Sequence, residues 1–311
     1  MNNMYDKNRI KRVCTIVFAI VAAVYYFVSE YVLPQLNSAK VYTKNSDGAI
    51  FENTENIYVH FIDVGQGDST LVQTPNGKFV LIDAGTNDCE HELLSYLDSK
   101  NVEYIDCLIL THPHEDHIGS ADAVMDSYYV CNVVKTDVDD GCINCDNLER
   151  AIKESQKHID TNVVVPENGD VFDVDGVEFT ILSDGRGYKD LNDTSLCFRM
   201  DYGKSSFLFT GDAQKTVEYD ILLADADVSA QVYKCGHHGS STSNCEEFLS
   251  EVSADIAVIS CGDDNMYGHP HDEVVDRLLD RNVEIFRTDV HEDIVLCCSK
   301  DAIALVLPVI D

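Results

Sequence analysis

Polar and apolar positions divide the chain into three stretches. Residues 1–12 are polar and basic, with Lys7, Arg9, Lys11 and Arg12. Val13 to Val28 (VCTIVFAIVAAVYYFV) is then sixteen residues without a charge, followed by Ser29, Glu30, a short apolar Tyr31-Val32-Leu33 and Pro34. This pattern predicts one N-terminal transmembrane helix at the short end of the spanning range, with Tyr25, Tyr26 and Tyr31 as interfacial anchors. The basic start then stays in the cytoplasm, and everything after Pro34 lies outside. A cleaved signal peptide fits the same basic-then-apolar order, with only a weak cleavage site at Asn37-Ser38-Ala39, and would make the protein secreted. A buried helix of a soluble protein is the third reading. Residues 34–56 are polar and aperiodic, as a linker is.

From residue 57 onward, short β-like runs alternate with helical ones. IYVHFIDV (57–64) alternates as a strand does. DSTLVQTP and KFVLIDAG flank an Asn76-Gly77 turn, a strong hairpin signal. HELLSYLDSK (91–100) has helical spacing, and YIDCLILTH (104–112) is a continuous apolar run suited to a buried strand ending in a loop. Helices are predicted at IGSADAVMDS and at 144–158. Strands follow, with turns at Asn168-Gly169, Asp175-Gly176 and Tyr202-Gly203. The remainder reads helix TVEYDILLAD, strand QVYKCGHH, helix NCEEFLSEV, strand IAVISCG, helix HDEVVDRLLDRN, and strands near EIFRT, DIVLCC and AIALVLP. Helix-flanked hairpins in both halves predict two mixed sheets packed together with helices outside, all within one domain spanning 57–311. Residues 1–33 are then the basic start and anchor or signal.

Charge changes what this domain can bind. The chain of 311 residues has a formal net charge of −33 and is 45% hydrophobic. Its apolar content supports a folded core. Beyond Pro34 there are 18 basic and 53 acidic residues, so the outer part is more acidic still. That field excludes an extended nucleic-acid-binding surface and a polybasic membrane patch. It does not exclude a phosphate-handling site, because bound divalent cations reverse the sign locally. There are twelve cysteines. Export would favour pairing them, yet Cys107 and Cys197 sit in apolar runs as small buried hydrophobes do. Cys142-x-x-Cys145 has no second CxxC to complete a metal knuckle, and reads as a loop disulfide or a pair of thiols.

The chemistry concentrates in histidines. Seven of eleven fall in three clusters: His112, His114 and His117 in THPHEDHIG, His237 and His238 in CGHHGSS, and His269 and His271 in YGHPH. A lone histidine in a polar loop is usually structural, and His60, His91, His158 and His291 are read so. His-x-His-x-Asp-His directly after a buried strand is different. In an extended loop His112, His114 and Asp116 share a face, and His117 is turned off it. Two imidazoles can then bind one cation while Asp116 and His117 bind a neighbour. Adjacent metals need a shared anionic oxygen. Asp212, ending the apolar strand of SFLFTGD, has the context to supply it, and Asp83 in FVLIDAG could buttress the ligands from behind. The third cluster is weaker: His271 suits a helix start and His269 a turn.

These residues resemble the metallo-β-lactamase-fold hydrolase superfamily, whose His-x-His-x-Asp-His signature is met by His112-Pro-His114-Glu-Asp116-His117. More narrowly, HFIDVGQGDSTLV, VLIDAG, LTHPHEDHIGS, FLFTGD, HHGSSTS and YGHPH resemble the metallo-hydrolase domain of the ComEC family of DNA-uptake channel proteins. That family has many membrane spans and this chain one at most, so DNA uptake does not transfer. The resemblance implies a four-layer αββα sandwich, an α+β fold, with one or two divalent metals, zinc or manganese, at one edge. It implies one metal site from His112, His114 and Asp212. The other comes from Asp116, His117, Asp212 and one of His237 and His238, with His238 the first choice. Most two-zinc members supply a further histidine between the first cluster and the Gly-Asp motif. Here only His158 lies between 118 and 211. LNDTSL, with Asn192, Asp193 and Ser195, occupies that place, so the His112/His114 site would be weaker, take an oxygen ligand or favour manganese. His269 could also approach the metals or the substrate.

The expected activity is metal-dependent hydrolysis, with phosphodiester cleavage first. The substrate would be nucleic acid, a cell-wall polymer such as teichoic acid or phosphocholine ester, or another small ester, including β-lactam or thioester. Asp116 would orient water or accept a proton, the histidine of the 237/238 pair that is not a ligand would assist the leaving group, and Ser240, Ser241 and the Gly239 turn would contact phosphate. The contrasting reading is a metal-poor binding domain without turnover.

Overall fold

A computed structural model describes residues 55–138 and 141–306. The apolar segment 13–28, on which the anchor and secretion expectations rest, lies outside the described residues. Among the described residues no helix is long and apolar enough to cross a membrane.

The described strands, in chain order, are β1 (Ile57–Phe61), β2 (Thr70–Gln73), β3 (Phe79–Ile82), β4 (Tyr104–Ile105), β5 (Cys107–Leu110), β6 (Tyr129–Val130), β7 (Asn132–Lys135), β8 (Asn162–Val164), β9 (Val171–Val174), β10 (Val177–Ser183), β11 (Cys197–Tyr202), β12 (Ser205–Phe209), β13 (Val232–Lys234), β14 (Ile256–Ile259), β15 (Glu284–Arg287), β16 (Ile294–Cys298) and β17 (Ile303–Val306). The helices are α1 (Glu90–Ser99), α2 (Glu115–Ile118), α3 (Ala121–Ser127), α4 (Ile143–Ser155), α5 (Lys215–Leu223), α6 (Glu246–Val252), α7 (Asp272–Asp280) and α8 (Thr288–His291). One sheet has the order β17-β16-β1-β2-β3-β5-β7-β8, and the other β15-β14-β13-β12-β11-β10-β9. Each sheet has a parallel half, β3-β5-β7-β8 in the first and β12-β13-β14-β15 in the second.

Apolar burial produces the layers. Between the sheets, Ile57, Val59, Phe61, Val72 and Ile109 meet Phe179, Phe198, Phe207 and Phe209. Phe198 lies 5.2 Å from Phe209 and 6.1 Å from Phe179, centroid to centroid. Truncating such a ring to alanine costs about 3–5 kcal/mol. A second cluster joins the outer face of the first sheet to α1, α3 and α4 through Leu71, Leu81, Leu93, Leu97 and Leu148. A third joins the other sheet to α5, α6 and α7 through Leu208, Val217, Tyr233, Phe248 and Leu278. The arrangement is an αββα sandwich.

Local chemistry sets the element ends. β2 and β3 turn at Asn76-Gly77, where Gly77 has φ +78°. α4 places Cys145, Leu148, Ala151 and Ile152 inward, the three-and-four spacing of an amphipathic helix. Cys142 caps it, its Sγ accepting the Cys145 N–H at 3.2 Å. The CxxC pair therefore opens a helix, not a loop. Three further expectations need correction. β1 is buried on every residue rather than on alternate ones, because α1 covers the face turned from the second sheet and Tyr96 reaches His60 at 2.9 Å. The run 104–112 is two strands, broken at Asp106, whose carboxylate accepts the Phe79 N–H at 3.1 Å. Finally, residues 115–118 form a helical turn, so the alternating face drawn for His112, His114 and Asp116 ends at His114.

Candidate metal centre

The site gathers at the C-terminal ends of the parallel strands. Asp83 follows β3, His112 follows β5, Asp212 follows β12, and His237 and His238 follow β13. After β5 the chain stays extended through His114, then turns into α2, bringing Asp116 and His117 around beside each other. Three groups of donors result. His112, His114 and Asp212 form one; Asp116, His117, Asp212 and His238 form a second; Asp68, Asp83 and His117 form a third, and within each group the donor atoms lie within 4.8 Å of one another. Asp212 belongs to the first two. Its Oδ1 is 3.2 Å from His117 Nε2, and its Oδ2 is 3.8 Å from His112 Nε2 and 3.6 Å from His238 Nε2. Asp116 Oδ2 lies 3.2 Å from His238 Nε2. His112 Nε2 and His114 Nδ1 face each other at 3.1 Å.

A buried frame holds these donors. Asp83 accepts from Thr111 N, Thr111 Oγ1 and His117 Nδ1, each at 2.8 Å. This fixes the His117 ring with Nε2 toward Asp212. Ser195 Oγ donates to Asn192 O at 2.7 Å and accepts the Asp212 N–H at 3.0 Å. The LNDTSL segment thus holds the backbone of the shared aspartate. Asn192 itself lines the cleft above.

The His237-His238 pair is built on unusual backbone. Both residues have φ +52°, a left-handed conformation costing a non-glycine residue of order 1–3 kcal/mol. Gly239 follows at φ +78°, where a Cβ would stand 2.6 Å from Pro270 Cβ. The two rings consequently diverge. His238 is buried and reaches Asp116 and Asp212. His237 remains partly open, with Nδ1 on Thr242 Oγ1 at 3.0 Å and Nε2 3.6 Å from Asp212 Oδ2. His269 packs 6.1 Å from His238 and 5.5 Å from His237. His271 accepts the Ser241 N–H at 2.9 Å, ahead of α7. Ser240 is buried and bonds Thr242 within its own loop. The Ser240 N–H is taken by His237 O and the Ser241 N–H by His271, so these amides are not available to phosphate.

Charge is concentrated here. Burial opposes a charged His117, but Asp212 and Asp83 outweigh it and hold the ring well above its ordinary range. Burial is likewise outweighed at His238 by Asp212 and Asp68, which raise it to about 10. Asp212 lies well below the usual carboxylate range, the charges of His117 and His238 winning over burial. Burial and then His117 push His112 well down, and burial lowers His237 despite Asp212. His269 falls to about 4, through burial and the neighbouring histidines.

Two residues absent from the sequence reading complete the floor. Asp68 and Lys234 are 6% and 4% exposed and pair at 2.8 Å. Burial works against both charges, yet each partner holds the other ionised. A lysine inside the apolar run QVYKC was the available signal, since lysine is almost never fully buried without a partner. Thr111, joining Asp83 to the histidines, was also missed.

The donor set suits a divalent ion. His117 Nε2, His238 Nε2 and Asp212 Oδ1 are buried yet lack hydrogen-bond partners, and all three face the same point. Imidazole and carboxylate donors are those that zinc and manganese accept. Above them opens a cleft of ≈ 770 Å³. Its lining includes Asp88, Glu115, Asn265, Tyr267 and His269, and no lysine or arginine.

The Metallo-beta-lactamase superfamily matches residues 62–263. ComE operon protein 3 of Bacillus subtilis is 32% identical over 251 residues, covering 74% of this chain and 32% of that protein. Recombination protein 2 of Haemophilus influenzae is 33% identical over 227 residues, covering 71% and 26%. The chain thus spans about a third or less of the length of these relatives. Among solved structures, a long form RNase Z from yeast superposes with TM-score 0.51 at 11% identity, covering 88% of this chain and 45% of that one. With two thirds of its length matched by the family and its donors converging at the strand ends, the chain belongs to the metallo-β-lactamase superfamily.

Proposed function

We propose that the protein is a metal-dependent phosphodiesterase. The observation that carries this reading is the convergence of a three-donor and a four-donor group on the single carboxylate of Asp212 beneath an open cleft. When bound there, a zinc or manganese pair supplies Lewis acidity to a phosphoryl oxygen and a water activated at neutral pH. His112, His114 and Asp212 would hold one ion, and Asp116, His117, Asp212 and His238 the other. Asp116 is the more open carboxylate of its group, its side chain 27% exposed against 2% for Asp212. It is placed to orient the attacking water and take its proton. His237 lines the same cleft and is placed to assist the leaving oxygen. Asn192 and His269 line the cleft and are placed to contact the substrate.

Phosphodiester specificity draws support from relatives whose names refer to competence and recombination. The cleft favours a short segment over a long polyanion: Asp88 and Glu115 stand at its wall, and no lysine or arginine lines it.

The test uses the full chain with manganese or zinc and bis-p-nitrophenyl phosphate, single-stranded DNA, a phosphocholine ester and nitrocefin. Diester cleavage that Asp212→Ala abolishes is expected. Turnover of nitrocefin alone, or wild-type diester turnover in Asp212→Ala, would overturn the reading. Less than one ion per chain and no turnover of any substrate would favour a metal-poor binding domain. For location, washed membranes should retain the protein, and external protease on intact cells should remove it.

A further inference from the structure

Beneath the four-donor group lies a buried ion pair that the proposed chemistry leaves without a task. Such pairs seldom add stability over apolar residues of similar size, because both charges lose water. Lys234 and Asp68 therefore call for another explanation, and their contacts supply one. Asp68 Oδ2 meets Lys234 Nζ at 2.8 Å, while Oδ1 stands 3.2 Å from His238 Nδ1. The Asp68 N–H donates to Asp116 O at 2.9 Å. That approach requires glycine at the preceding position, since a Cβ on Gly67 would lie 2.6 Å from the same oxygen. Asp68 thus touches two donors of the four-donor group, one through its side chain and one through its backbone.

The orientation of His238 gives the contact meaning. An imidazole binds a metal through an unprotonated nitrogen, so its other nitrogen carries the proton. His238 Nδ1 donates to Ser260 O at 3.0 Å, which puts the proton on Nδ1 and leaves Nε2 toward Asp116 and Asp212. Asp68 Oδ1, a buried oxygen without a hydrogen-bond partner, stands 3.2 Å from the same nitrogen as a charge contact. Lys234 lies at the end of β13, four residues before His238, and fixes the other carboxylate oxygen. Resting on the metal-dependent reading above, we propose that Asp68 and Lys234 are positioning residues for the four-donor ion: Asp68 holds His238 with Nε2 presented, and Lys234 holds Asp68.

The test measures metal binding, not turnover. Metal-free full-length chain is titrated with Zn²⁺ against a chromophoric chelator, for wild type, Asp68→Asn, Lys234→Met and His238→Ala. Asp68→Asn and Lys234→Met should weaken one of two ions about 10–100-fold and leave the other within about threefold. In the His238→Ala background, Asp68→Asn should add no further loss. A merely structural pair would instead lower the unfolding temperature of the metal-free protein and leave both affinities unchanged, which overturns the proposal. A loss from Asp68→Asn that persists without His238 overturns it too. Should the variants fail to fold, nitrogen NMR of the Zn²⁺-loaded wild type decides. His238 should be protonated at Nδ1 and coordinated at Nε2, and the reverse overturns the proposal. A chain that binds two ions but cleaves no diester defeats the proposed function and leaves this role standing; a chain that binds no ion defeats both.

Discussion

The two halves of the centre share Asp212 but are built differently. On the four-donor side, His117 is locked by Asp83 at 2.8 Å, His238 by Ser260 and Asp68, and Asp116 through its backbone by Asp68. On the three-donor side, His112 has Thr111 Oγ1 at 3.2 Å, and His114 has His112 itself at 3.1 Å and lies at the cleft. One half is a set of donors held from behind by buried carboxylates. The other pairs a buried ring, His112, reached through Thr111, with His114, which lies at the cleft and has no such frame. Preorganised donors lose little freedom when an ion arrives, and loosely held ones lose more. If the proposed pair of ions binds, the difference predicts one held tightly and one that exchanges readily.

The largest effect is expected from Asp212→Ala, which removes the shared oxygen from both halves. Both ions should weaken, and turnover should fall about a thousandfold or more; equilibrium dialysis with steady-state assays checks this. Asp83→Asn comes next and should separate the halves. It should cost about 10–100-fold in affinity for the four-donor ion alone, read by chelator competition. His114→Ala should act on the opposite half, reducing tightly retained metal from two ions per chain to one. If His114→Ala lost both ions together, the asymmetry would be wrong.

The smallest effect on the centre is expected from His60, a histidine the fold buries for packing. Burial, assisted by the charge of Lys100, lowers its pKa from 6.5 to about 3. The unfolded chain then binds more protons between those values, so stability falls as pH drops from 6.5 toward 3. His60→Gln should flatten this slope by up to one proton and leave metal affinity unchanged at neutral pH. Denaturant unfolding at pH 7 and pH 5 measures the difference.

Much of this architecture was legible from residue order. The Asn76-Gly77 hairpin, the amphipathic segment that became α4, and the apolar runs ending in His112 and Asp212 each follow from local rules of turn chemistry, helical spacing and strand burial. The His-x-His-x-Asp-His pattern marked the donors because histidines at that density after a buried strand have few other uses. Other features had no local signature. That β1 is covered on both faces depends on a helix packing against it from elsewhere in the chain. Nothing in THPHEDHIG by itself says that the chain turns helical after His114, because that turn is stabilised by the packing of α2 against the loops beside it.

The choice between His237 and His238 shows the boundary most clearly. Adjacent in sequence and identical in chemistry, they are separated only by a left-handed backbone that buries one ring and opens the other. Asp68 and Lys234 make the same point, 166 positions apart in the chain and in contact at the floor of the site. The sequence by itself determined which side chains could bind a cation and which strands would carry them. The tertiary structure decided which of those side chains meet, because pairing charges out of water requires surfaces from distant segments to close over them.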